Sequence, residues 1–257
     1  MGVYVQYLLI TLKSRMQYKL SFFLIVFGQF ITAFSTFLGV YFMFSGINTV
    51  EGFTFEQVLL GYGIVLMAFA LGEMLGNGFL GMPGMIQEGS FDRLMVRPRS
   101  VMAQLMFGYT DFARLGLILQ AVIVFTIAVT NGTVIWTWDK LLTLVLMCIG
   151  GTAVFFGLFL AHGTFAIFTV EAKFMNIFTY GGREFGRYPF SIYGSTILRL
   201  LTYVIPMACF QYYPLTYLLD RVSDPVYMVL PLAGVIFLIP CYIFFRFGLR
   251  KYRSTGS

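Results

Sequence analysis

Charged side chains are scarce in this sequence, because Lys, Arg, Asp and Glu together make up only 11% of its 257 residues. A soluble domain carries about 25%. Hydrophobic residues make up 59%, and the mean hydropathy is +0.84. A soluble globule of this size cannot hide so much apolar surface, and a disordered chain would not contain it. The composition therefore predicts an all-α polytopic membrane protein. It excludes a cytosolic enzyme, a secreted disulfide scaffold and a nucleic-acid-binding module.

Residues that hold metals or perform catalysis are equally rare. His162 is the only histidine, and Cys148, Cys209 and Cys241 lie in apolar stretches without a metal-ligand spacing. The sequence lacks the phosphate-binding pattern G-x-x-x-x-G-K-[ST], the zinc pattern H-E-x-x-H and the nucleophile pattern G-x-S-x-G. We therefore expect no catalytic residue, no metal site and no cofactor in this chain. Any energy source would lie in another subunit or in an ion gradient.

Six apolar segments are long enough to cross a bilayer, which takes about 20 mostly apolar residues. Residues 3–18 have helical apolar spacing, which predicts an amphipathic helix in the inner membrane interface. Residues 210–225 are too short for a crossing and are expected to lie on or dip into the outer leaflet. The whole chain, 1–257, is interpreted as one transmembrane domain. The predicted spans are Leu20–Phe44, Gln57–Leu80, Val101–Val129, Leu141–Val170, Phe190–Cys209 and Val226–Phe247.

The distribution of basic residues predicts the orientation, because cytoplasmic loops carry an excess of Lys and Arg. Thirteen basic residues lie in alternate connecting segments, against Lys140 and Arg221 in the others. Both termini are therefore expected in the cytoplasm. The thirteen are Lys13, Arg15, Lys19, Arg93, Arg97, Arg99, Lys173, Arg183, Arg187, Arg246, Arg250, Lys251 and Arg253.

Five polar residues interrupt the predicted spans at similar distances from the cytoplasmic ends, roughly 13–20 Å at 1.5 Å per residue. Such a polar belt either lines an inward-facing cavity, holds helices together, or lies near the headgroups because the helices protrude. Glu73 and Arg114 lie on consecutive antiparallel spans and are predicted to pair, directly or through Asp111. Gly72 and Gly76 flank Glu73 at a spacing that permits close helix approach. The belt consists of Glu73, Asp111, Arg114, His162 and Arg199.

The segment between the second and third spans is unusually polar, with five charges between Glu88 and Arg99. Pro83 and Pro98 bound a stretch that predicts a short helix over residues 85–95. A charged helix in this place suits a surface for a cytosolic partner. The alternative is a solvated positive-inside anchor.

Two stretches of the sequence resemble a known family. IQEGSFDRLMVRP, from Ile86 to Pro98, is similar to the I…GxxDxxLxRP pattern of permease subunits of ABC exporters in the type-2 ABC transporter family. RYPFSIYGSTILRLLTYVIPMACFQYYP, from Arg187 to Pro214, resembles the family's YP…lR…viP…yyP pattern. The two motifs occur in the family's order and at the matching topological positions.

The resemblance implies a half-transporter that exports a hydrophobic or amphipathic drug, peptide or lipid across a bacterial plasma membrane. Two permeases, identical or paralogous, would pair with two cytosolic ATPase subunits, which would hold the ATP and Mg²⁺. Membrane lipid is the remaining expected partner, and nucleic acid is not expected. The coupling helix that docks on the ATPase would include Met85, Ile86, Glu88, Gly89, Phe91, Asp92, Arg93 and Leu94.

Two other function classes are compatible with the composition. A secondary transporter driven by an ion gradient predicts inverted repeats and broken helices, and no clear repeat relates residues 20–130 to residues 140–247. A membrane-embedded enzyme would need a nucleophile–base pair or a metal pair within the spans, and none is visible in the sequence. The chain could instead be a membrane-embedded assembly scaffold.

Overall fold

The computed structural model describes residues 2–131, 134–169 and 173–254, and within these ranges the chain forms helices and no strand. The prediction of an all-helical chain is confirmed. The α-helices are α1 (Val3–Arg15), α2 (Lys19–Gly46), α3 (Phe55–Leu80), α4 (Met82–Gln87), α5 (Asp92–Val96), α6 (Val101–Gly108), α7 (Leu115–Thr130), α8 (Trp138–Thr169), α9 (Asn176–Phe185), α10 (Gly194–Tyr203), α11 (Met207–Phe210), α12 (Tyr212–Leu218), α13 (Val226–Val229) and α14 (Leu232–Lys251).

Five helical stretches in the described ranges are long and apolar enough to cross a membrane, and a sixth arises if one bent pair of helices counts as a span. The structure thus agrees with the predicted number of spans to within one. The five stretches are Val3–Gly46, Phe55–Gln87, Phe112–Thr130, Trp138–Thr169 and Leu232–Lys251.

Helix α3 is the centre of the bundle. The side chains of Thr54 and Gln57 form a capping box that fixes its start. Most of its residues are buried, because α7 and α8 both pack along it and α6 covers its last turns. The approach of α6 is so close that a Cβ atom on Gly78 would clash with the backbone carbonyl of Leu105. Helix α8 also packs on α14, which completes the bundle.

The connections that follow α2, α7 and α12 lie at one end of the bundle. The Arg221 guanidinium donates to the carbonyl oxygen of Gly52 at 2.6 Å. Lys140 Nζ lies 2.7 Å from Asp220 Oδ2. These contacts bring residues 47–54 together with the segments that flank α8 and follow α12, and we call this end the 47–54 end.

The other end, the 81–100 end, is built around α4 and α5. The hydroxyl of Tyr252 donates to Asp92 Oδ1 at 2.7 Å, which holds the segment after α14 against α5. The hydroxyl of Thr11 donates to the carbonyl oxygen of Gly108 at 3.2 Å, which places α1 beside α6. The connections therefore alternate between the two ends, as expected for helices that cross a membrane in succession.

The predicted third span, Val101–Val129, is wrong as a single helix. Helix α6 ends at Gly108, and a short 3₁₀ helix, Phe112–Arg114, precedes α7. The Asp111 side chain accepts a hydrogen bond from Ala113 N, and Asp111 N donates to the carbonyl oxygen of Met74. Asp111 therefore starts a new helix and ties the break to α3, because its carboxylate competes with helical hydrogen bonding.

The predicted fifth span, Phe190–Cys209, is wrong in shape. The stretch Phe190–Tyr203 meets Met207–Leu218 at an angle of 89°. Pro206 explains the break, because proline has no N–H to donate and disfavours helical backbone at the preceding residue. The second arm includes much of the segment 210–225 that the sequence placed separately on the outer leaflet.

Three smaller boundaries also differ from the sequence-based expectation. Helix α1, a 3₁₀ turn at Met16–Tyr18 and α2 follow one another in a 44-residue helical stretch, which is interrupted at Tyr18 by non-helical backbone. Its predicted interfacial position stays a prediction. The last predicted span is divided into α13 and α14, and α14 contains Pro240 within it. The predicted fourth span, Leu141–Val170, begins earlier, at Trp138, and is helical as far as Thr169, while Val170 lies outside the described residues.

Candidate functional site

The predicted pairing of Glu73 with Arg114 is confirmed. Arg114 Nε lies 3.0 Å from Glu73 Oε2 and 3.2 Å from Asp111 Oδ2. Glu73 is completely buried, and its contact with Arg114 is an ion pair without a well-aligned hydrogen bond. Arg114 also donates to the side-chain oxygen of Gln29 on α2 at 2.9 Å. One guanidinium therefore joins α2, α3 and the 3₁₀ helix that precedes α7.

The second oxygen of Glu73 has a partner that the sequence did not indicate. Tyr180 on α9 donates its hydroxyl hydrogen to Glu73 Oε1 at 2.8 Å. Its ring packs against Phe69 and Phe159, with centroids 5.8 and 6.4 Å apart. The carboxylate thus links α3 to α9 as well as to Arg114, an arrangement that holds helices together.

The other two members of the predicted belt do not join this cluster. His162 is buried on α8, and its Nδ1 has no hydrogen-bond partner among the described residues. It lines an open cavity of about 460 Å³ together with Tyr180 and Asn176. Arg199 is exposed on α10 and makes no ion pair or hydrogen bond within the described part of the chain. The contacts therefore join only three of the five belt residues, and the common depth of the five stays a prediction.

A second charged cluster lies on α9, where the sequence predicted only a loop. Glu184 Oε1 accepts from Arg183 Nε at 3.3 Å and Nη2 at 2.9 Å, and Glu184 Oε2 pairs with Arg187. The Arg183 guanidinium lies over the ring of Phe69, 4.8 Å from its centroid. Counting basic residues assigned both arginines to a cytoplasmic segment. The signal that was missed is the regular 3–4 spacing of polar residues along residues 173–187.

The predicted coupling helix over residues 85–95 is wrong as a single helix. Helices α4 and α5 are separated by a turn in which Gly89 has φ +67°. A residue with a side chain rarely adopts this left-handed conformation, so glycine is required for the turn. The carbonyl oxygen of Met85 accepts from Phe91 N and from the Ser90 hydroxyl, which closes the turn. The loop is therefore a folded element.

The apolar residues of this loop point mainly inward. Phe91 is 0% exposed, and Ile86 and Leu94 are also buried in a cluster with Phe79 and Phe245. The expectation that Phe91 and its apolar neighbours supply contact area for an ATPase does not match this geometry, because the bundle already covers them. The residues of the loop that face outward are Gln87, Glu88, Arg93, Met95, Val96 and Arg97.

The last described residues of the chain are hydrogen-bonded to this loop. Asp92 accepts hydrogen bonds from Ser254 and Tyr252, and these bonds lower the pKa of its carboxyl group. Burial and the neighbouring Asp92 raise the pKa of Tyr252 to about 12. The Tyr252 ring also packs edge-on against Phe91, with centroids 5.0 Å apart. The predicted sites Met85 and Gly89 lie inside the same folded unit, partly covered.

Helices of membrane-crossing length, apolar outer faces and buried charge clusters define an α-helical polytopic membrane protein. A comparison with family profiles identifies it more narrowly. The chain belongs to the family described as ABC-2 family transporter protein, which matches residues 30–256. It is therefore a membrane component of an ABC transporter. Comparisons with curated proteins and with solved structures gave no significant match.

Proposed function

We propose that this chain is the permease subunit of an ABC exporter that moves a hydrophobic or amphipathic substrate out of the cytoplasm. A second permease and two cytosolic ATPase subunits complete the transporter, and the ATPases bind ATP and Mg²⁺. The observation that carries this proposal is the folded loop of α4 and α5. Its inner side packs on the bundle and its outer side carries charge and exposed apolar surface.

The loop suits a docking platform because it is firmly attached on one side. Phe91 and Leu94 bury their side chains in the bundle, and Asp92 is bonded to the segment after α14. A displacement of the loop would therefore act on both α3, which precedes it, and α14. On the outer side, Val96 is 84% exposed and provides apolar contact area. Glu88 and Arg93 set the register, since interface charges contribute more to specificity than to affinity.

The orientation belongs to the same proposal. With Arg183 and Arg187 assigned to α9 and its continuation within the bundle, eleven basic residues remain in the alternate segments against Lys140 and Arg221. The positive-inside rule still places the 81–100 end and both termini in the cytoplasm. We expect the protein in a plasma membrane, where the ATPase would approach this end.

The proposal is tested by placing a charge on the outer side of the loop. Val96→Asp should weaken association with the ATPase at least tenfold, because a carboxylate would replace an apolar contact. Ile135→Asp is the matched control, since Ile135 is 78% exposed and lies between α7 and α8 at the 47–54 end. Co-purification with the ATPase and its hydrolysis rate in the complex are the two measurements.

Phe91→Ala is a poor probe of docking, because it removes a buried ring and changes the packing of the loop. Equal ATPase association and equal hydrolysis for Val96→Asp, Ile135→Asp and the unmodified chain would contradict the proposal. The loop would then serve only as an anchor of membrane orientation.

A further inference from the structure

Polar side chains follow one face of α9 from the 81–100 end towards the middle of the bundle. Tyr180 contacts Glu73, and Arg183 lies over Phe69, so this face is turned towards α3. Residues on the opposite side of α9, such as Ile177 and Phe178, line an apolar groove beside α10. We call the first face the polar stripe, and it consists of Lys173, Asn176, Tyr180, Arg183 and Arg187.

The far end of the polar stripe lies halfway along the central span. Phe69, which lies under Arg183, is about 21 Å from the start of α3 and about 16 Å from its end at 1.5 Å per residue. Gly186, next to Arg187, is so close to Val65 that a Cβ atom would lie 2.6 Å from its side chain. A hydrocarbon layer of about 30 Å around α3 therefore places both guanidinium groups near its centre.

Guanidinium groups at this depth need acceptors, because the hydrocarbon supplies none. Each guanidinium has five N–H donors, and Glu184 is the carboxylate that pairs with both. Among the described residues no other ion pair is made by Arg183 or Arg187. Their side chains remain 24% and 33% exposed.

The accessible charge is therefore positive. The network of three arginines and three carboxylates is neutral overall; its members are Glu73, Asp111, Arg114, Arg183, Glu184 and Arg187. Glu73 and Asp111, however, face Arg114 and are covered. The exposed part consists of two arginines and Glu184, and it borders a crevice of about 10 Å³ against Thr32 and Tyr62, which must widen to admit a headgroup. A pair of guanidinium groups with free N–H edges matches the geometry of a phosphate or a carboxylate.

We propose that Arg183 and Arg187 bind the oxyanion headgroup, phosphate or carboxylate, of an amphiphilic substrate at the middle of the membrane. The polar stripe provides the route to this site from the 81–100 end, past the cavity that Tyr180 and Asn176 line. This inference rests on the proposed transport function and names the class of substrate. Its test needs the permease alone, so that the two proposals can fail separately.

Binding is measured with the purified chain in phosphatidylcholine nanodiscs, by displacement of a fluorescent fatty acid. Dodecyl phosphate and laurate should displace it at saturating, micromolar concentrations. Dodecyltrimethylammonium should not displace it, because the guanidinium groups of Arg183 and Arg187 would repel its positive charge. Inorganic phosphate should bind at least a hundredfold more weakly than dodecyl phosphate, since it lacks the apolar chain.

Substitutions assign the binding to the arginines. Arg187→Gln should weaken the binding of dodecyl phosphate at least tenfold, and Arg187→Lys should restore part of it. Glu184→Gln should strengthen binding severalfold, because it releases both guanidinium groups to the ligand. A purely structural role of the cluster does not predict this gain. Arg246→Gln is the matched control, since Arg246 is an exposed cation on α14.

Several outcomes would overturn the inference. Equal binding by all variants would show partition into the lipid alone, and equal binding of dodecyltrimethylammonium would show apolar binding without charge recognition. Inorganic phosphate that binds as tightly as dodecyl phosphate would assign the site to a soluble anion. None of these outcomes would change the result expected for Val96→Asp. Conversely, a failure of the Val96→Asp experiment would not change the binding expected for the amphiphiles.

Discussion

Tyr180 donates its hydroxyl hydrogen to Oε1 of Glu73 at 2.8 Å, while Oε2 of the same carboxylate faces Arg114 at 3.0 Å. One buried side chain therefore holds α9 and the start of α7 against the centre of α3. Arg114 has a second carboxylate beside it in Asp111. Because Arg114 pairs with both carboxylates, substitutions of Arg114 and of Glu73 are expected to differ in their effect on stability.

Arg114→Gln is expected to destabilise the protein more than Glu73→Gln. Without Arg114 two carboxylates are left near each other and uncompensated, whereas without the charge of Glu73 the arginine still pairs with Asp111. Breaking a buried ion pair costs about 3–5 kcal/mol. Thermal unfolding in detergent should show the order, and Glu73→Gln should restore part of the stability of Arg114→Gln. Additive effects would mean that the two residues are independent.

The attachment of the last described residues to α5 should depend on pH. Asp92 has a lowered pKa, so the attachment is present above about pH 4, the usual range of the carboxyl group, and is lost as pH falls through the lowered pKa. Tyr252 has a raised pKa, so the attachment is present below about pH 10 and is lost as pH rises towards about 12.

A nitroxide at position 253 in a cysteine-free background reports this attachment. The label should be immobile at pH 7, and Asp92→Asn should make it mobile at that pH. A label at Ser100, exposed on the same end, is the control for unfolding of the loop. Unchanged mobility at position 253 in Asp92→Asn would show that the two hydrogen bonds do not hold the segment.

Gly78→Ala should destabilise the protein, because the added Cβ atom would collide with the backbone carbonyl of Leu105, which cannot move independently of α6. The loss should lower the midpoint of thermal unfolding by several degrees. Gly39→Ala is the matched control on α2, where no atom lies within 4 Å of the new Cβ. It should leave the midpoint unchanged or raise it, since alanine is favoured in helices by about 1 kcal/mol. Equal midpoints for the two variants would contradict the close packing of α6 on α3.

The orientation predicts which cysteines are accessible from outside a cell. In a cysteine-free background, cysteines replacing Thr49 and Val222 should react with an impermeant maleimide in intact cells. A cysteine replacing Ser100 should react only after the membrane is opened. The native thiols must be replaced first, although Cys209 and Cys241 are buried. Labelling of position 100 from outside would reverse the proposed topology.

The sequence predicts the helices well where an apolar run is long and no proline or helix-capping side chain breaks it, as in α2, α3 and α8. It fails where local hydrogen bonding or proline breaks the helix without lowering hydropathy. Asp111 and Pro206 lie inside apolar runs, and a window of average hydropathy does not register the change of direction there. The pair of Glu73 and Arg114 was predictable, because two opposite charges at similar depth on neighbouring spans have few other partners.

The charges on α9 were not predictable by the same reasoning. Counting basic residues treats every arginine outside an apolar run as a loop residue, so Arg183 and Arg187 were assigned to the cytoplasmic side. In the structure their position in the bundle depends on the contact of Arg183 with Phe69 and of Gly186 with Val65, and both partners belong to a helix more than a hundred residues earlier. The burial of Phe91 has a similar origin, since Phe79, Phe245 and Tyr252 close around it only in the folded bundle.

The composition of α9 also constrains how the protein is made. Its ten residues, NIFTYGGREF, contain two glycines and two charges, and an arginine at the centre of a membrane helix opposes insertion by about 2.5–3.5 kcal/mol. With Arg183 at the depth inferred above, a segment of this composition would not insert on its own. We therefore expect α9 to enter the bilayer only after α3 and α8 are in place to receive Tyr180 and Arg183. Folding of this chain would then include a step inside the membrane that follows the insertion of its apolar spans.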